Sequence, residues 1–268
     1  MIEPTKGWAS LRLHEFVAFR ELFFFLIWRD IKIRYRQTAL GVGWVILQPL
    51  VLVAVIALFF GLVIKVPSEG VPYPVFVFSG MLPWFLFSQS MGAAAASLVA
   101  NEALVSKIYM PRLLLPIAAA AGYLLDFTVS IVLVFVMGAL YGYFPTAAAL
   151  VLPLLTLFTL ATALAVGISL AAMNVRYRDV QAGLPLVLQI WLFASPVIYS
   201  VSSIPAGLQP LYGLNPMATV ISGFRWAIVG TTGPSPAMVA ASVFSVGVLL
   251  VVGVAYFRRT ERTFADVI

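Results

Sequence analysis

GWVILQPLVLVAVIALFFGLVI, residues 43–64, carries no charged side chain. As a helix it would rise about 33 Å at 1.5 Å per residue, enough to cross the ~30 Å hydrocarbon core of a bilayer. Five further stretches read the same way: 75–100, 113–143, 146–173, 183–201 and 236–257. Inside all six, the one acidic residue is Asp126. Between them stand Pro, Gly, Asn and charge, which end helices.

The composition agrees. Of the 268 residues, 62% are hydrophobic and 10% charged, against about 45–50% and about 25% in a soluble domain. With a mean hydropathy of +1.05, too little polar surface is left to face water. A soluble globular domain, a disordered chain and a nucleic-acid-binding module are excluded. The sequence has no cysteine and a single histidine, His14, so disulfides and thiolate metal sites are excluded and no metal site is expected. The chain therefore reads as an all-α integral membrane protein of six transmembrane helices. Residues 1–41 form an N-terminal segment, 42–257 the six-span domain and 258–268 a tail.

Charge sets the topology. Seven Lys and Arg lie in the N-terminal segment: Lys6, Arg12, Arg20, Arg29, Lys32, Arg34 and Arg36. Lys107 and Arg112 follow the second span, Arg176 and Arg178 the fourth, and Arg258, Arg259 and Arg262 the sixth. The other side holds only Lys65 and Arg225. The positive-inside rule puts both termini in the cytoplasm, so the net charge of +6 is a topology signal. In the N-terminal segment the one apolar run, Leu22 to Trp28, is short and closely flanked by charge, and no small-residue cleavage site follows it. An uncleaved interfacial segment is expected.

Residues 21–37 suit an amphipathic helix in the membrane surface. Phe24, Trp28, Ile31 and Tyr35 share one face, and Arg29, Lys32 and Arg36 an adjacent one. Ile33 falls opposite the stripe, and simple topogenic charge is the plainer alternative. The loop NEALVSKIYMPR, residues 101–112, suits a short helix capped at Asn101, with Glu102 in its first turn and Pro111 as its stop. Such a helix could pass motion from a soluble partner to the spans, or be a plain connector. The NVRYRDV loop, residues 174–180, reads as a positive-inside anchor. The outer stretch 202–235, apolar and proline-rich, suits short re-entrant or interfacial helices.

Asp126 has two readings. An intramembrane carboxylate suggests function, yet a proton relay needs several such groups, and a structural hydrogen bond fits better. Aromatic residues in or near spans two and five, Trp84, Phe85, Phe87, Trp191, Phe193 and Tyr199, could stack on sugar rings and let a glycan slide. Lipid-facing packing explains most of them as well. There is no G-x-x-x-x-G-K-[ST] phosphate loop, no H-E-x-x-H and no G-x-S-x-G, so no catalytic residue is assigned.

Four segments together resemble a known family. RDIKIRYRQTALGVGW (29–44) with Gln48-Pro49 is similar to the N-terminal signature of bacterial polysaccharide-exporting ABC permeases. YMPR (109–112) with Leu114, Leu115 and Pro116 resembles the motif after their second span. NVRYRD (174–179), Leu184-Pro185 and SPVIY (195–199) resemble the loop after their fourth span and the fifth span itself. LNPM (214–217) with Arg225 resembles their outer-loop motif. The resemblance implies a half-transporter: a homodimer paired with two nucleotide-binding subunits, which would carry ATP and Mg. Arg29, Lys32, Arg36, Asn101, Glu102, Lys107, Tyr109 and Arg112 would meet those subunits. Asn215, Pro216 and Arg225 would belong to gate helices over the channel. The cargo would be a lipid-linked polysaccharide, O-antigen in the first place, with teichoic acid or capsule as alternatives, crossing the cytoplasmic membrane. A secondary transporter built on Asp126 is the rival from another class, though it would want paired charges and repeats. A membrane-embedded enzyme is a third, with no acid or histidine cluster to serve it.

Overall fold

The computed structural model describes residues 18–36, 41, 43–108, 110–261 and 264. Within these residues every regular element is helical. Tyr109 and Arg262, like Lys6, Arg12 and His14, lie outside the described residues.

Five helical stretches are long and apolar enough to cross a membrane: Gly43–Val63, Tyr73–Ala100, Leu114–Leu140, Ala147–Arg176 and Pro236–Thr260. The expected fifth span is shorter. It forms a helix over Asp179–Phe193, which rises about 22 Å, and the chain then turns through residues 194–200. Pro196 disfavours helix at Ser195 and donates no hydrogen bond, which explains the early stop.

In chain order the α-helices are α1 (Arg20–Tyr35), α2 (Gly43–Ile56), α3 (Tyr73–Ala100), α4 (Glu102–Lys107), α5 (Leu114–Ala121) and α6 (Leu124–Leu140). They continue as α7 (Leu152–Arg176), α8 (Asp179–Phe193), α9 (Gln209–Tyr212), α10 (Pro216–Val229) and α11 (Pro236–Thr260). A π-helical stretch, Ala57–Val63, completes the first span, and a 3₁₀ turn, Ala147–Val151, leads into α7.

The second span is the centre of the molecule. α3 is buried along most of its length and touches α2, α5, α6, α7, α8 and α10. Its closest neighbour is α7, and small residues allow the approach. A Cβ added at Gly167 of α7 would lie 2.8 Å from the Ala94 Cβ of α3. The first span has the opposite character: Leu47, Val51, Val55, Leu58, Phe59 and Leu62 are exposed, as lipid-facing residues should be.

A second core closes one end of the bundle. Leu26 of α1, Leu98 of α3, Val105 of α4, Met110, Leu113, Val175 of α7, Phe257 of α11 and Phe264 are all buried there. The segments richest in Lys and Arg therefore meet at one end. The loop carrying Lys65 and Glu69 lies at the other.

α1 forms where expected, but with a different buried face. Phe19, Leu22, Phe23, Leu26 and Ile27 dock onto the end core. Phe24 and Trp28, from the expected apolar stripe, are 67% and 66% exposed. The helix thus has two apolar sides, one held by protein and one exposed, with Lys32 beside the exposed side.

Candidate functional site

At the basic end, the loop after the second span is tied to α1. Arg29 donates to Asp30 Oδ1 and to Asn101 Oδ1, each at 2.7 Å. Asn101 Nδ2 donates to the Ser97 carbonyl at 2.8 Å. Asn101 was expected to cap α4, but its side chain makes no capping bond there. It joins α1 to α3 instead. α4 ends at Lys107 in extended backbone, before Pro111 is reached. Arg112 donates to the Glu261 carbonyl and lies over the Phe264 ring, which ties the loop to the tail.

Lys32, Arg36, Glu102 and Lys107 are exposed beside these joints. Of the residues expected to meet a partner, the structure thus leaves these four open and uses Arg29, Asn101 and Arg112 to hold the surface together. The loop after the fourth span is anchored by Asn174, buried and donating to the Ala95 carbonyl and to Gln181 Oε1, each at 3.1 Å.

Deeper in, Asp126 has found its partners. Arg34 Nη1 lies 2.8 Å from Asp126 Oδ2, and the Tyr35 hydroxyl donates to Asp126 Oδ1. The Arg34 guanidinium lies 3.6 Å from the Tyr123 ring centroid, a cation–π contact. The break between α5 and α6 makes room for this, with the Gly122 carbonyl 3.5 Å from Arg34 Nη1. Burial, then the hydrogen bond to Asp126, raises the Tyr35 phenol above its ordinary value, so it stays a donor. Both carboxylate oxygens of Asp126 are thus engaged, one by Arg34 and one by Tyr35.

The outer segment folds around Arg225. α10 is buried at every residue but Trp226. Arg225, 3% exposed, donates to the Phe76 carbonyl at 3.2 Å, to the Tyr199 carbonyl at 2.9 Å and to the Val197 carbonyl. Its guanidinium lies 3.7 Å from the Phe76 ring centroid. Gly80 makes the space: a Cβ there would lie 2.7 Å from Arg225 Nη2. A rigid fork of five donors suits this set of carbonyls better than a single ammonium.

Asn215 closes the other end of α10. Its Oδ1 caps Met217 N at 3.1 Å and accepts from Trp191 Nε1 at 2.9 Å. Its Nδ2 donates to Ser195 Oγ at 3.0 Å. Pro216 occupies the first turn of α10, where a proline costs nothing. Above Arg225, Glu69 accepts from Ser200 and, at 3.1 Å, from the Thr232 backbone N–H. Burial would raise the Glu69 carboxyl. The Ser200 hydroxyl, the Thr232 and Ser202 donors and the Arg225 charge outweigh it and leave the group below its usual range.

The aromatic residues divide. Trp84 and Phe87 are 5% and 0% exposed. Phe87 packs against Trp84 with the rings tilted by 50° and, edge to face, against Trp191. Through Trp191 these rings hold α3 to α8 within one chain. Trp84 and Phe87 offer no face to a sliding polymer, which corrects the expectation for those two, while Trp191 is partly exposed and lines an apolar cleft with Tyr212 and Asn215. Phe193 is 56% exposed, Phe85 lines a cavity, and the Tyr199 hydroxyl is 2.7 Å from that of Tyr212. The sequence reading missed Arg34, Tyr35 and Glu69. The first two stand inside the quoted signature, and Glu69 is the one acid in the loop after the first span.

A multi-pass membrane bundle with a basic end and a segment of short helices at the other end is now defined. The chain belongs to the ABC-2 type transporter family, whose profile matches residues 21–229. Membership of this family implies an ATPase partner. The chain is similar to the O-antigen export system permease protein RfbA of Myxococcus xanthus, 33% identical over 261 residues, covering 95% of this chain and 98% of that one. It is 25% identical over 241 residues to the protein of the same name from Klebsiella pneumoniae, covering 90% of this chain and 92% of that one. To the polysialic acid transport protein KpsM of Escherichia coli it is 24% identical over 239 residues, covering 88% of this chain and 92% of that one.

Proposed function

We propose that this chain is the permease subunit of an ABC exporter that moves a lipid-linked polysaccharide of the O-antigen kind across the cytoplasmic membrane. Similarity along 95% of the chain to an O-antigen permease carries this reading. The lower identity to KpsM makes capsule the second choice of cargo.

Two copies would pair, and two separate subunits would bind and hydrolyse ATP. Both termini would face the cytoplasm, where the arginine-rich end core meets those subunits. Lys32, Arg36, Glu102 and Lys107 form the contact, and Arg29, Asn101 and Arg112 carry its motion into α3, α5 and α11. The outer segment around Arg225 and Asn215 is the gate. Exposed Phe193 on α8 is the aromatic residue best placed to meet cargo, with lipid filling the remaining apolar surface.

The test is co-purification with a phosphate-loop ATPase, followed by ATPase assays with and without an undecaprenyl-linked glycan. The reading predicts a stable complex whose ATPase rate changes several-fold with the glycan. A chain that binds no such subunit contradicts it.

A further inference from the structure

A cavity of about 230 Å³ lies between α2, α3, the α5–α6 break and the end of α1. The polysaccharide-exporter signature builds much of its wall: Arg34, Tyr35, Gly41, Trp44, Gln48 and Pro49 all line it. The coupling surface and the gate give these residues no joint task.

Two carboxamides set the chemistry. Gln48 lies in the first span and Gln89 in the second, and both line this cavity. Both are exposed, and neither side chain has a hydrogen-bond partner among the described residues. Gln89 sits eleven residues before the end of α3, about 16 Å along the helix axis, which is inside the hydrocarbon. A carboxamide is costly there unless a polar group meets it. Two of them, brought from different helices to one cavity, call for a ligand rich in both donors and acceptors.

The remaining lining narrows the choice. Asp126 and Arg34 neutralise one another, so no net positive charge waits for a phosphate. The carboxylate keeps lone pairs free for further donors. Half-exposed Trp44 and partly buried Phe85 supply apolar faces. Aromatic walls with a few convergent amides and one carboxylate match a neutral polyol ring. The volume is below the roughly 300–1,000 Å³ of a drug-sized site, which suits one ring and no longer chain.

We propose that this cavity binds a single sugar ring of a lipid-linked glycan, held by Gln48, Gln89 and Asp126 on the side of the membrane where α1 lies. The site names a recognition step for the exporter reading and rests on it.

The test uses the complete transporter in nanodiscs, with native mass spectrometry reading bound lipid. The probes are undecaprenyl pyrophosphate bearing one N-acetylglucosamine, undecaprenyl pyrophosphate itself, and the free disaccharide of N-acetylglucosamine. Wild-type protein should bind the sugar-bearing lipid more tightly than the bare one. Gln48→Leu with Gln89→Leu should weaken the sugar-bearing lipid roughly tenfold and leave the bare lipid unchanged. Asp126 is spared because it holds α1.

Equal weakening of both lipids would make this a phosphate site and overturn the proposal, as would no weakening of either. A complex that loses subunits on substitution would assign the amides to a contact between copies, which also overturns it. Binding of the free disaccharide as tight as that of the sugar-bearing lipid, lost in the double variant, would remove the lipid from recognition and overturn the proposal. Each of these failures leaves the exporter reading standing. If the wild-type complex neither binds any lipid-linked glycan nor changes its ATPase rate with one, that reading falls and the site with it.

Discussion

Arg29 and Asn101, 72 positions apart, meet at 2.7 Å. That hydrogen bond joins α1 to the end of the most buried span. Asn101 also holds Ser97 of α3, so a displacement of α1 is felt along α3. Arg29→Ala and Asn101→Ala should each lower export several-fold while the ATPase subunit stays bound. Each should cost about 1 kcal/mol of stability, since a charge-assisted bond at a partly exposed site is worth little more. A double variant no worse than either single one, in a cycle of transport assays, is the expected sign that the pair acts as a unit.

Arg225 organises the outer segment, and its loss should be severe. Arg225→Met leaves the Val197 and Tyr199 carbonyls without their donor and removes the charge that favours ionised Glu69. A cost of about 2–4 kcal/mol is expected. Arg225→Lys should recover only part, because one ammonium cannot reach three carbonyls. Thermal unfolding of the detergent-purified chain measures this. The absence of native cysteine lets a single Thr231→Cys, at a position whose hydroxyl is buried, report opening of the outer segment by labelling rate, which should rise in Arg225→Met.

Glu69 should make the proposed gate sensitive to acid. Its carboxyl lies below the ordinary 4.5 in the fold. The ionised form therefore stabilises the fold, fully above that value, and the effect is lost as pH falls through the folded value. Labelling at Thr231→Cys, taken relative to a free thiol at the same pH, should accelerate as pH drops below about 4.5. Glu69→Gln should show that faster relative labelling at neutral pH and no further relative change in acid.

Asp126→Asn should behave as a broken ion pair. Arg34 would be left half-buried without its counter-charge, at a cost of about 1–3 kcal/mol. Arg34→Gln added to it should restore much of the stability, and transport in the double variant should still require ATP. Coupling of transport to a proton gradient in wild type, abolished by Asp126→Asn, would contradict the structural role.

Trp84 and Phe87 belong to the fold. Phe87→Ala should cost about 3–5 kcal/mol, as removal of a fully buried ring does. Phe193→Ala should leave the melting temperature within about 1–2 °C of wild type and change export alone. Thermal unfolding beside a transport assay separates the two.

Five of the six expected spans, the basic end and the short outer helices were legible because they depend on local composition: apolar runs, positive charge, proline. What the sequence hid is what depends on distant partners. Asp126 looked like a lone acid until Arg34 and Tyr35 of α1 were found on it. Asn101 had the identity of a helix cap and serves as a bracket between α1 and α3. The buried face of α1 was misjudged because both sides of that helix are apolar, so spacing alone does not choose between protein and lipid. Trp84 and Phe87 sit in a span like any lipid-facing aromatic, and only the packing of α8 on α3 shows them as core.

The central claim is that this chain forms a path and borrows its energy. Reconstitution into liposomes with its candidate ATPase tests it most directly, by following a fluorescent undecaprenyl-linked glycan from one leaflet to the other. Movement that needs both the ATPase and hydrolysable ATP, and stops in a phosphate-loop lysine variant of that subunit, is the predicted result. Movement by the chain alone, without nucleotide or driven by an ion gradient, would contradict it.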